Sequence, residues 1–165
     1  MGEAAQFAGT RRYQLVPRTA VFVRADGRYL LVKGAATKRI WPGMYNAIGG
    51  HVERGEDVLS SARRELLEEA GITADLWLCG IVIVDAGDSG VGLYVYVGEQ
   101  PRGIVHDSAE GTSRWLTLAE IRAEPSVEDL PYLLAKIDRW RAGDAPFSAR
   151  SRYDEDGHLR IEFVD

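Results

Sequence analysis

The sequence predicts one α+β domain, with helices and strands stacked in an α/β/α layered arrangement. Three observations carry this. Strand-like and helix-like segments follow one another in mixed order, the pattern of helices laid on a sheet. The chain has 165 residues, enough for one self-supporting core and too few for two. Hydrophobic residues at 45% and charged residues at 27% match ordinary globular usage, and no linker, repeat or low-complexity tract interrupts them.

The elements follow in chain order. Residues 18–24 and 29–33 are β-branched and aliphatic runs around Ala25-Asp26-Gly27-Arg28, and Asp-Gly between such runs predicts a hairpin. Residues 34–44, with Lys38, Arg39, Trp41, Pro42 and Gly43, show no periodicity and read as an exposed loop. A short strand over 44–48 then meets Gly49-Gly50. From Asp57 to Ala70, Leu59, Ala62, Leu66 and Ala70 recur at three- and four-residue spacing, and Gly71 supplies a helix stop. Residues 74–85 and 91–98 form a second hairpin around Ala86-Gly87-Asp88-Ser89-Gly90, and Ser113–Leu116 makes another short strand. Thr117-Leu118-Ala119-Glu120 is a capping box opening a short helix, and Leu130, Leu133, Leu134, Ile137 and Trp140 mark an amphipathic one with Pro131 in its first turn. Residues 147–153 and the alternating Leu159, Ile161 and Phe163 close the chain as a hairpin.

Composition excludes several functions. The net charge of −5 gives no basic footprint for a nucleic-acid polymer or an anionic membrane surface. The longest apolar run, Gly80 to Val84, is far short of the roughly 20 residues of a membrane helix. Met1 to Gln6 lack the basic and apolar features of a signal peptide, so a cytoplasmic location is expected. With Cys79 alone, no internal disulfide or thiolate metal site can form, and the residue is expected in the core.

On the 57–70 helix, Glu65, Glu68 and Glu69 fan across one arc of roughly 100°, and Glu69 falls in phase with the apolar Val58 and Ala62. This carboxylate cluster reads either as a solvated acidic face, with Arg64 and Glu68 as an i,i+4 pair, or as oxygen ligands for hard divalent cations carried with substrate phosphates. The wider spacing decides. Gly50, five residues, Glu56, seven residues, Arg64-Glu65-Leu66, one residue, Glu68-Glu69, one residue, Gly71-Ile72 has a chance probability on the order of 10^-8. These residues match the Nudix box, 50–72, at every defining position, and the chain is identified on them as resembling the Nudix family. Asn46-Ala47-Ile48-Gly49-Gly50, Glu110 with Trp115, and a late helix before a C-terminal hairpin extend the resemblance towards the branch that hydrolyses oxidised purine nucleoside triphosphates, such as 8-oxo-dGTP.

The resemblance implies one Nudix domain over 1–165, an α/β/α sandwich with a mixed central sheet plus a C-terminal hairpin. It implies hydrolysis of a small-molecule nucleotide with Mg2+, Mn2+ substituting, and homodimers are common in the family. Carried over by position, Glu65, Glu68, Glu69 and the Gly49 carbonyl resemble the metal ligands, joined by Glu110 from outside the box. Glu56 and Arg64 resemble the ion pair that orients them, and Glu68 or Glu65 is the expected general base. Lys33, with Lys38 and Arg39, reads either as phosphate-holding or as a solvated face. Asn46 is expected to bond a purine edge and Tyr94, Tyr96 or Trp41 to stack on the base. Glu128 and Asp129 stand where such enzymes carry base-reading acids, with helix N-capping the alternative for Asp129. Other substrates remain open: a nucleotide sugar, a dinucleoside polyphosphate or ADP-ribose. A non-catalytic ligand sensor is disfavoured because every box glutamate is present.

Overall fold

The computed structural model describes residues 12–164; the reading of Met1–Gln6 lies outside them. Strands β1 (Gln14–Ala25), β2 (Arg28–Gly34) and β3 (Tyr45–Asn46) precede helix α1 (Val58–Ala70). Strands β4 (Ile72–Asp85), β5 (Ser89–Gly103) and β6 (Gly111–Leu116) lead to helices α2 (Leu118–Ala123) and α3 (Leu130–Ile137), and β7 (Phe147–Tyr153) with β8 (Leu159–Val164) ends the chain. All eight strands form one sheet in the order β3-β2-β1-β5-β4-β7-β8, with β6 on β2. The sheet is mixed: β1 with β5 and β4 with β7 run parallel, the other pairs antiparallel.

Successive strand residues point to opposite faces, and β1 uses this to feed two layers. Val21 and Val23 pack with Ala62, Leu66 and Ala70 of α1 on one face. Ala20 and Phe22 pack with Leu130, Leu133 and Ile137 of α3 on the other. The expected α+β sandwich is therefore present, and Cys79 lies in its core with its thiol pushed up to about 12 by burial.

Local chemistry sets the helix ends. Asp57 precedes α1, and its carboxylate accepts from Leu59 N and Ser60 N, both at 2.9 Å. Gly71 ends the helix at φ 73°, a conformation costly for a residue with a Cβ. Asp57→Ala is expected to cost about 1 kcal/mol, read as a lower urea midpoint; an unchanged midpoint would show that the cap is dispensable. The Thr117–Glu120 capping box forms on α2 as expected.

Several expected boundaries differ: β4 begins at Ile72 rather than 74, β6 at Gly111 rather than Ser113, and β3 covers only Tyr45–Asn46 of the expected 44–48. β1 begins at Gln14 rather than 18, because residues 14–18 pair in parallel with 89–93 of β5 despite Pro17. β5 extends beyond 98 to Gly103 on its pairing with the start of β4. The late helix stops at Ile137, and Trp140 is buried beyond it with its indole N–H donating to Ala145 O. Among the described residues no helix is long and apolar enough to cross a membrane.

Candidate active site

The segment after β3 wedges against β1: Val21 N donates to Ile48 O at 2.7 Å and Thr19 N to Gly50 O at 2.9 Å. This fixes Gly49 and Gly50 directly beneath the carboxylates of α1. Gly49 sits at φ 146°, and a Cβ there would strike the Thr19 backbone. At Gly50 a Cβ would strike the Glu65 carboxylate. The two glycines thus let a helix carboxylate rest against bare backbone.

Glu69 is the buried member of the cluster, as its phase on the helix predicts, and Glu68 the exposed one. The Glu69 carboxylate accepts from Gly49 N at 3.4 Å. Burial, reinforced by the charges of Glu65 and Glu110, pushes it up to about 7, against the opposing Gly49 N–H and Lys38. A buried carboxylate with two acidic neighbours is short of positive charge, which is the property a divalent cation would meet.

Arg64 organises the rest. Its Nε and Nη2 bind the two oxygens of Glu56 at 2.8 and 3.0 Å, its Nη1 reaches Glu65 at 2.9 Å and Glu68 at 3.2 Å, and Nη2 also donates to His51 O at 3.1 Å. Arg64 hydrogen bonds hold the Glu56 carboxyl down to about 2. One guanidinium fork therefore ties the 50–57 loop to two of the proposed ligands. Glu110 comes from the loop before β6, where its carboxylate pairs with Lys38 and its carbonyl accepts from Ala35 N at 3.0 Å.

The donor set fits a hard divalent cation: four carboxylates and the Gly49 carbonyl, all oxygen. Their oxygens are not gathered into one tight cage: Arg64 holds Glu65 and Glu68, Lys38 holds Glu110, and Glu69 accepts from Gly49 N. Among the described residues the acidic group whose ligand atoms do lie close together is Asp154, Asp156 and His158. That group belongs to the β7–β8 turn, where Asp154 accepts from Asp156 N, His158 N and Arg160 Nε.

A cavity of about 230 Å³ opens on the α3 face of the sheet. Phe22, Val84, Val91, Leu93, Leu130 and Leu133 give it apolar walls, and Arg18, Asn46, Glu128, Asp129 and Ser151 are among its polar residues, with Trp41 and Tyr153 as aromatic lining. Gly49 lines this cavity as well as donating to Glu69, so the carboxylates and the cavity adjoin at one residue.

The structure brings Glu56, Arg64, Glu65, Glu68, Glu69, Glu110 and Gly49 to one edge, and Asn46 and Asp129 to the adjoining cavity. Asp129 precedes α3 but makes no capping hydrogen bond, so the capping alternative is not realised. Two expectations are corrected. Tyr94 packs with the α1-side cluster, on the opposite sheet face from the cavity, because it is out of phase with Val91 and Leu93 on β5; Tyr96 is buried in the same layer. Lys33 pairs with Glu124 at 3.3 Å and lies over the Tyr45 ring, so it does not reach the carboxylates or the cavity. Lys38, left open between phosphate and solvent, is held by Glu110. Arg18, Ser151 and Tyr153 were not picked out by sequence. Arg18 carried one signal, a charged residue in phase with the inward-facing Ala20 and Phe22.

Residues 14–137 match the family model described as the NUDIX domain. The chain is similar to an oxidized purine nucleoside triphosphate hydrolase of Danio rerio, 46% identical over 57 residues, 34% of this chain and 35% of that protein. It is also similar to the nucleoside triphosphatase NudI of Escherichia coli O139:H28, 43% identical over 49 residues, 30% of this chain and 35% of the relative. These matches span about a third of the length of the curated relatives. A crystal structure of a mutator MutT protein from Bacillus halodurans shares the fold, with a TM-score of 0.76 and 24% identity over 90% of this chain and 97% of that one.

Proposed function

The chain belongs to the NUDIX domain family, and from that premise we propose that it is a Mg2+-dependent pyrophosphohydrolase that cleaves a nucleoside triphosphate, of the oxidised-purine kind, to the monophosphate and pyrophosphate. Residues 1–165 act in this reading as one domain, with box 50–72 at its catalytic edge. The observation that carries it is the position of Gly49, shared between the carboxylates that would hold cation and phosphates and a cavity suited to a flat base.

Glu65, Glu68, Glu69, Glu110 and the Gly49 carbonyl would hold the metal. Bound there, Mg2+ would neutralise phosphate charge and make water more acidic. The chain's own contributions are distinct. Glu68, the exposed member of the cluster, accepts the proton of the attacking water, a role Glu65 shares as the alternative. Arg64 and Glu56 fix the ligand-bearing turn. Asn46 offers its amide to the base while its own Oδ1 is restrained by Ala47 N at 2.8 Å, and Trp41 lies where a ring could stack. The names of the Danio rerio and E. coli relatives support a nucleoside triphosphate over a nucleotide sugar or dinucleotide.

A panel of nucleoside triphosphates, oxidised and normal, with a nucleotide sugar, a dinucleoside polyphosphate and ADP-ribose tests this. Release of pyrophosphate from purine triphosphates with preference for the oxidised base is expected. Preference for a diphosphate derivative would overturn the substrate assignment, and turnover of none would overturn the hydrolase reading.

A further inference from the structure

Arg18 stands in the cavity wall without a partner for a buried donor. It extends from β1 in phase with Ala20 and Phe22, on the α3 face. Its Nε is buried and makes no hydrogen bond, although buried donors in folded proteins are almost always paired. Across the same cavity Asp129 lies within reach of Arg18's charge, and its side chain does not cap α3. A cationic fork and a carboxylate that share one cavity without bonding each other present donor and acceptor to whatever enters. Asn46, restrained by its own backbone loop, adds a third polar group.

Resting on the hydrolase reading above, we propose that Arg18 is a specificity-determining residue: its guanidinium donates to an oxo group on the base edge, so that the cavity selects 6-oxopurines over 6-aminopurines. The reason is geometric and electrostatic. A guanidinium has only donors, so it rewards the 6-oxo oxygen, and it leaves a 6-amino group facing another N–H. An analogue that leaves a buried polar group unpaired is rejected more strongly than one that merely fills space differently. Oxidation at C8 turns N7 from an acceptor into an N–H donor but leaves the 6-oxo group in place, so the contact to that oxygen serves normal and oxidised guanine-type bases.

The test is binding of GMP and AMP, followed by NMR titration of the whole protein in the absence of added metal, so that turnover is not required. Wild type is expected to prefer GMP by at least about tenfold. Arg18→Met should weaken GMP by a similar factor and change AMP less than threefold. Arg18→Lys, which keeps the charge and loses the fork, should lose most of the preference and carries the test should Arg18→Met fail to fold. Equal weakening of both nucleotides, a preference that survives Arg18→Met, or no preference in wild type would overturn the proposal. An Arg18-dependent GMP preference in a protein that hydrolyses no triphosphate would support this contact while overturning the hydrolase reading.

Discussion

Glu69→Gln is expected to lower kcat/KM by about two orders of magnitude or more, the scale of removing an electrostatic group aimed at the reacting centre, while making the metal-free protein more stable at alkaline pH. The two effects have one origin. Glu69 is 7% exposed, and burial beside Glu65 raises it from 4.5 to about 7. A carboxylate raised on folding contributes stability that is fully present below its unfolded value of 4.5 and is lost as pH rises through about 7. The loss at pH 8 is on the order of 3 kcal/mol. Glutamine keeps the shape without the charge, so in chelator the variant should melt several degrees above wild type at pH 8 and together with it near pH 4.5. Added Mg2+ should raise the wild-type Tm and leave the variant's unchanged. Near-normal turnover, or an equal Mg2+ shift of Tm in both proteins, would remove Glu69 from the ligand set, and a variant melting below wild type at pH 8 in chelator would contradict the cost of its buried charge.

Arg64→Ala is expected to reduce activity by 10- to 100-fold, the usual effect of losing a group that orients metal ligands. Arg64 touches Glu56, Glu65 and Glu68 and the His51 carbonyl, so its loss frees the loop and two ligands together. Because the fork matters as well as the charge, Arg64→Lys should recover only part of the activity. A positioning role also predicts a weaker apparent Mg2+ affinity, which simple destabilisation would not produce in the folded fraction. The Glu56 carboxyl is held down to about 2, so the ion pair contributes stability above the ordinary 4.5 and loses it as pH falls towards 2. The Tm gap between wild type and Arg64→Ala should therefore be full at pH 7 and narrow below pH 4.5. An unchanged Mg2+ requirement and full activity in Arg64→Ala would show the fork to be dispensable.

What could be read in the sequence was whatever a short span encodes. The α1 helix, its Asp57 start and its Gly71 stop, the Thr117 capping box and both later hairpins depend on neighbours a few residues apart, and all of them form, with β4 and β5 longer than expected. The carboxylates were legible for the same reason: helical phase places Glu69 towards the buried side without reference to the rest of the chain. The cavity was not legible, because its walls come from β1, β4, β5, α3, β7 and β8 and meet only through pairings such as β1 with β5 and β4 with β7. Tyr94 illustrates the limit. Its chemistry suits base stacking, but a strand presents each residue to one face alone, and β5 turns Tyr94 towards α1. Lys33 was likewise near the box in sequence yet is committed to Glu124.

The most direct test of the account is 31P NMR of an oxidised guanine nucleoside triphosphate incubated with the protein in Mg2+ and in chelator. Nucleoside monophosphate and pyrophosphate should accumulate in equal amounts with Mg2+, with no turnover in chelator. Orthophosphate as the first product, or equal turnover in chelator, would contradict it.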